Sequence, residues 1–118
     1  MGYTHYISKK PAFTTEQWKA FTTDVKGLLA RARVPLAGPG GEWGTKPSFT
    51  ARAIMFNGVD GDSHETAVVK KGAVEFEFCK TAGKPYDEVV VDFWKLVRRY
   101  LPSVELSSDG GPSIFGTD

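Results

Sequence analysis

Between residues 74 and 91 the chain changes period. Val74, Phe76 and Phe78 alternate with Glu75 and Glu77, the pattern of a strand with one buried face. That parity predicts Phe76 and Phe78 toward a core, with Lys80 sharing their side, and Cys79 on the other parity as a small half-buried filler. Lys80-Thr81-Ala82-Gly83-Lys84 follows, and Pro85 stands where a helix can begin, because its missing N–H costs nothing at the first helical position. An ammonium, a hydroxyl, free backbone amides and a positive helix end in this order predict a cradle for an anion.

Residues 3–8 are β-prone and predict a first strand, ended by Lys9-Lys10-Pro11. The next helix carries the clearest signals in the chain. Thr14 and Gln17 have the spacing of a capping box, and Phe13 and Trp18 that of a hydrophobic staple. Trp18, Phe21, Val25, Leu28, Leu29 and Ala32 keep helical spacing until Pro35. Seven of the fourteen residues 35–48 are Pro or Gly, which predicts a long loop. Within it Trp43 either pins the loop to the core or covers a ligand. Strands are expected at about 50–57, 64–70 and 74–80, joined as a meander through turns at 58–62 and 71–72. A second helix over about 86–101 carries Val90, Phe93, Trp94, Val97 and Leu101 on one stripe, despite three consecutive valines. A short strand at 103–107 precedes a Gly-rich tail over 110–118, in which Ile114 and Phe115 are candidates to dock. The order β-α-β-β-β-α-β predicts a single α+β domain over 1–118, a mostly antiparallel sheet with two helices on one face.

Composition narrows the function classes. With 118 residues and 41% hydrophobic content the chain is long enough for one real core. Fifteen basic against fourteen acidic residues argue against non-specific nucleic-acid binding driven by net charge. The lone Cys79 precludes an intramolecular disulfide and suits a reducing cytoplasm. The first residues lack an apolar signal core, Tyr6 breaks the myristoylation pattern that Met1-Gly2 opens, and no stretch approaches the roughly 20 apolar residues of a membrane span. No Walker or dinucleotide-type glycine motif is present, and one Cys with two His makes no closed zinc site, so no cofactor or metal is expected.

The chemistry-bearing residues gather at predicted strand ends and helix starts. His5 and Tyr6 lie on the first strand and Asn57 at the end of the second; His64 lies across the turn. Lys80 and Thr81 end the fourth strand, Tyr86 and Asp87 open the second helix, and Ser108 and Asp109 end the last strand. Lys80, Thr81 and Ser108 would donate to phosphate, Asn57 would read a base edge, and Tyr6 and Tyr86 would stack. Each also has a structural explanation: Asp109-Gly110 is a turn, and Asp87 suits a helix N-terminus whatever the function. An enzyme reading rests on His5, His64 and Lys80, two imidazoles as acid and base with an ammonium for the developing charge of a phosphodiester. A third class is protein binding or homodimerisation through a sheet edge.

Several phrases occur together: Tyr3-Thr4-His5-Tyr6, Phe56-Asn57-Gly58, His64-Glu65-Thr66, Phe78-Cys79-Lys80-Thr81, Pro85-Tyr86-Asp87 and Ser107-Ser108-Asp109-Gly110. In this order they resemble a family of small proteins from phages and prophage-rich bacterial genomes, with departures at Ile7, where members often carry Trp, and in the short C-terminus. The resemblance implies a phage-linked, cytoplasmic setting and supplies no catalytic residues. Together these readings predict a non-catalytic binder of a small anionic, nucleotide-type ligand that sequesters a host immune signal. The alternatives are a phosphodiesterase or a protein inhibitor of a host defence protein.

Overall fold

The computed structural model of the chain describes residues 3–111 and 113–116. Its order is β1 (Thr4–Lys10), α1 (Thr15–Ala30), β2 (Ser48–Phe49), β3 (Ala53–Phe56), a 3-10 turn (Asp60–Asp62), β4 (Ala67–Lys70), β5 (Val74–Lys80), α2 (Asp87–Tyr100) and β6 (Glu105–Ser108). The class is α+β with antiparallel pairing throughout, as the pattern predicts. The sheet is divided, however, into two three-stranded sheets, β5-β1-β6 and β2-β3-β4.

The expected strand 50–57 is interrupted because the Thr50 hydroxyl accepts from the backbone N–H groups of Arg52 and Ala53 at 3.2 and 3.0 Å, closing a local turn. The expected meander ends at β4. β5 follows it through a short turn, yet ladders with β1 instead.

That pairing reverses the predicted parity of β5. β1 commits Ile7 and His5 to the core, 1% and 0% exposed. Residues directly opposite in an antiparallel pair share a face. Glu77 lies opposite Ile7 and Cys79 opposite His5, so these two point inward. Phe78 lies opposite Tyr6 and Phe76 opposite Ser8, on the outer face, and both rings are about half exposed. Lys80 is exposed with them. The partner strand, not the alternation within 74–80, decides which side is buried.

α1 starts as its sequence dictates. Thr14 Oγ1 accepts from Gln17 N at 3.0 Å and Gln17 Oε1 from Thr14 N at 2.8 Å, and the Phe13 and Trp18 rings meet at 5.1 Å. α2 buries Val89, Val90, Phe93, Trp94 and Val97 against Phe21, Val25 and Phe56 in one core shared by both helices and the inner faces of both sheets. The valine run is tolerated because burial of the stripe outweighs a few tenths of a kcal/mol of propensity per residue. Phe115 from the tail closes the core edge-on against His5, ring centroids 5.4 Å apart, with Ile114 packed alongside. Pro112, Thr117 and Asp118 of the predicted tail lie outside the described residues. Among the described residues no helix is long and apolar enough to cross a membrane.

The Lys10 side chain is enclosed, its ammonium donating to the carbonyls of Pro11 and Gly72 at 2.9 and 2.6 Å. Burial lowers its pKa to about 8, against an upward pull from Glu77. A lysine depressed in the folded state binds fewer protons there than when unfolded, so its penalty is present below pH 8 and relieved above it. Stability should therefore rise with pH between about 8 and 10.5 in the native chain, and this slope should flatten in Lys10→Met, as read by urea melts across that window.

Candidate functional site

The predicted residues separate into an inward trio, an edge cluster, a loop brace and an outer face. The trio is His5, Thr81 and Asp87. Asp87 stands in the first turn of α2, where a carboxylate favours the helix dipole. Its Oδ1 takes both His5 Nε2 at 2.6 Å and Thr81 Oγ1 at 2.5 Å. His5 and Thr81 are fully enclosed, and His5 sits edge-on between the Tyr3 and Phe115 rings. With the Nε2–H tautomer donating to Asp87, Nδ1 is left without a partner among the described residues.

A threonine, a histidine and an aspartate suggest nucleophilic catalysis, but the connectivity is wrong for it. Both donors hold one carboxylate oxygen, so no hydroxyl–imidazole bond exists to activate Thr81. His64 is exposed in the loop after the 3-10 turn, whereas His5 is enclosed. No surface presents both imidazoles to one phosphodiester. The predicted cradle does not converge either: Thr81 turns inward to Asp87 and Lys80 outward. The reversed parity of β5 is the cause.

The edge cluster joins β1 to the end of β6. Asp109 accepts from Thr4 N at 3.2 Å and, through its other oxygen, from Tyr6 Oη at 3.0 Å; that bond holds the phenol's pKa above its ordinary value. Ser108 Oγ accepts from Gly110 N at 3.0 Å, closing the turn. Asn57 braces the loops: its Oδ1 accepts from Gly58 N and His64 N, and its Nδ2 donates to the carbonyls of His64 and Pro39. With both ends of its amide engaged, Asn57 has none left for a base edge. Tyr86 is enclosed and donates to the Glu65 carbonyl at 2.5 Å, so it packs rather than stacks on a ligand.

Trp43 does not pin its loop; it is 77% exposed. Backbone contacts hold the loop instead. Asp60 accepts from Trp43 N at 3.1 Å and donates its own N–H to Gly41 O at 2.6 Å. Gly41 has φ +73 and leaves no room for a Cβ, which would meet Ser63 Cβ at 2.6 Å.

Cys79 is buried with its thiol pushed up to about 12, by burial first and then by the Glu65 and Asp87 carboxylates. It should resist iodoacetamide at about pH 8 in the native chain and react fully in urea, which intact-mass measurement resolves.

Two of the predicted ligand residues, Tyr6 and Lys80, lie together on the outer face beside exposed rings. Tyr6 stacks against Phe76, centroids 6.2 Å apart and planes at 28°, and Phe76 lies 6.2 Å from Phe78. The Lys80 ammonium stands 5.7 Å from the Phe78 centroid. Beside these rings the unladdered strands β4 and β5 leave a crevice of about 460 Å³. Met55, Thr66 and Val68 form one wall and Phe76, Phe78 and Cys79 the other, with Trp94 also contributing. Sequence reasoning placed Tyr6 and Lys80 in a site and missed Phe76 and Phe78, whose outward direction depends on register with β1. By contrast, the cleft of about 560 Å³ between the end of α1 and the start of α2 borders Asp87, Glu88 and Asp92 as well as Arg31 and Arg33. Three carboxylates against two guanidiniums make it a poor host for an anion. Compared with protein-family models, curated proteins and solved structures, the chain matches none.

Proposed function

We propose that this chain is a non-catalytic binder of a small anionic ligand bearing a nucleobase, held on the outer face of the β5-β1-β6 sheet. The observation that carries the reading is the pair of half-exposed rings, Phe76 and Phe78, beside Tyr6, with Lys80 at their edge. Buried aromatics need no ligand; two adjacent exposed ones on a sheet face do what stacking platforms for single bases do, each contributing about 1–3 kcal/mol per base. Lys80 supplies a cation for a phosphate. A formal net charge of +1 fits a ligand of one or a few nucleotides better than a long polyanion. The enclosure of His5 supports retention of the ligand over turnover. The resemblance to phage-associated proteins supports sequestration of a host nucleotide signal as the biological role.

A thermal-shift screen against cyclic oligonucleotides and ADP-ribose derivatives tests the reading. At least one should raise the melting temperature and be recovered intact after denaturation. If none does, the reading fails; new products would move it to the phosphodiesterase alternative. Lys80→Ala should weaken binding of any hit about tenfold, with the fold unchanged. A second reading, capture of a host protein, draws on Trp43, because an exposed Trp on a braced loop is a typical anchor. It predicts no nucleotide hit at all and a stoichiometric partner that Trp43→Ala releases.

A further inference from the structure

Glu77 breaks a local rule. It occupies the inward parity of β5 opposite Ile7, where packing alone would place an apolar residue. Its side chain reaches across the gap between the sheets instead, to the Lys70 ammonium at 3.0 Å, and both residues line the crevice beside Phe76 and Phe78. Glu77 stays largely covered, its side chain 21% exposed. Thus a carboxylate and an ammonium stand side by side in a slot of about 460 Å³ lined otherwise by apolar side chains and Thr66, within the size range of small-molecule sites.

We propose, building on the nucleotide-binding reading, that this crevice selects guanine among nucleobases. Along its Watson–Crick edge guanine presents one acceptor, O6, followed by two donors, N1–H and the 2-amino group. Lys70 beside Glu77 presents the complement, a donor followed by two carboxylate acceptors. Adenine offers a donor and then an acceptor, placing its amino group against the ammonium and its bare N1 against the carboxylate. Uracil and cytosine each mismatch at one position or more. Hypoxanthine keeps O6 and N1–H and lacks only the 2-amino donor, which makes it the graded probe. The aromatic lip supplies stacking common to all bases, and the ion pair supplies the difference between them. No bond is made or broken; Lys70 and Glu77 exchange part of their mutual contact for contacts to the base.

The full chain titrated calorimetrically with the dinucleotides GpG, IpI and ApA tests this. Affinity should fall in that order, with GpG about tenfold or more tighter than ApA, the discrimination expected of one bidentate pair. Glu77→Gln, nearly isosteric, should bring the GpG-to-ApA ratio to within about threefold, because one amide oxygen and one N–H no longer match two donors. Glu77 also faces Lys10, whose pKa it raises. If it serves only to balance Lys10 and Lys70, Glu77→Gln will lower the melting temperature and leave the ratio untouched, which overturns the proposal. Equal affinities for GpG and ApA, both lost on Phe76→Ala/Phe78→Ala, overturn the guanine assignment alone. Binding of none of the three overturns the parent reading as well.

Discussion

Replacing Asp87 by Ala should lower the folding free energy by about 3 kcal/mol, the largest loss expected from any polar substitution in this chain. One oxygen of Asp87 takes two donors, His5 Nε2 and Thr81 Oγ1, and both donor residues are fully enclosed. Removing the carboxylate leaves both enclosed donors without the acceptor they share, His5 between the Tyr3 and Phe115 rings and Thr81 at the start of α2. An unsatisfied buried donor costs about 1–3 kcal/mol, and two are created at once. The helix also loses a first-turn carboxylate, a further few tenths. Asp87→Asn retains an oxygen acceptor and should cost about 1 kcal/mol. Urea denaturation of the two variants checks both size and order. If Asp87→Ala instead stays within about 0.5 kcal/mol of the native chain, the trio is not structural and its side chains are free for other work.

The second large effect is on binding. Phe76→Ala/Phe78→Ala should reduce affinity for a nucleotide ligand on the order of 100-fold, two stacking contacts of about 1–3 kcal/mol each with allowance for overlap. Its effect on stability should be small. The rings are 56% and 49% exposed, so their removal opens no cavity and forfeits mainly strand propensity, under about 1 kcal/mol each. Phe93→Ala, fully buried beside Phe21 and Phe56, should show the opposite balance, with stability falling by about 3–5 kcal/mol.

This contrast also shows which parts of the molecule could be read in the sequence. α1 was legible to the residue at its start because capping boxes and staples are local: Thr14, Gln17, Phe13 and Trp18 specify one another within five positions. The stripe of α2 was legible for the same reason. The facing of β5 was not. Alternation of Val74, Phe76 and Phe78 with Glu75 and Glu77 states that two faces differ, and it is silent about which is covered. That choice came from Ile7 and His5, some seventy residues away, through the register of β1 with β5. Strand registers of this kind shift whole faces together, so one long-range pairing moved Phe76, Phe78 and Lys80 outward at once. The candidate residues were affected in the same way. His5, Thr81 and Asp87 were each visible as polar residues near strand ends or a helix start, but their convergence on one carboxylate oxygen depends on three elements meeting. Asn57 and Tyr86 offered ligand-type chemistry in the sequence and are engaged with backbone groups in the fold.

In the proposed function the outer face of the β5-β1-β6 sheet, and not the His5–Thr81–Asp87 trio, holds the nucleobase ligand. Nuclear magnetic resonance titration of the labelled chain with GpG tests it most directly. The largest shifts should fall on Tyr6, Phe76, Phe78, Lys80 and the β4 residues Val68 and Lys70, with the His5 ring unmoved and with on the order of 100-fold more GpG needed for the same shifts in Phe76→Ala/Phe78→Ala. Shifts centred instead on His5, Thr81 and Asp87, and persisting in that double variant, would contradict it.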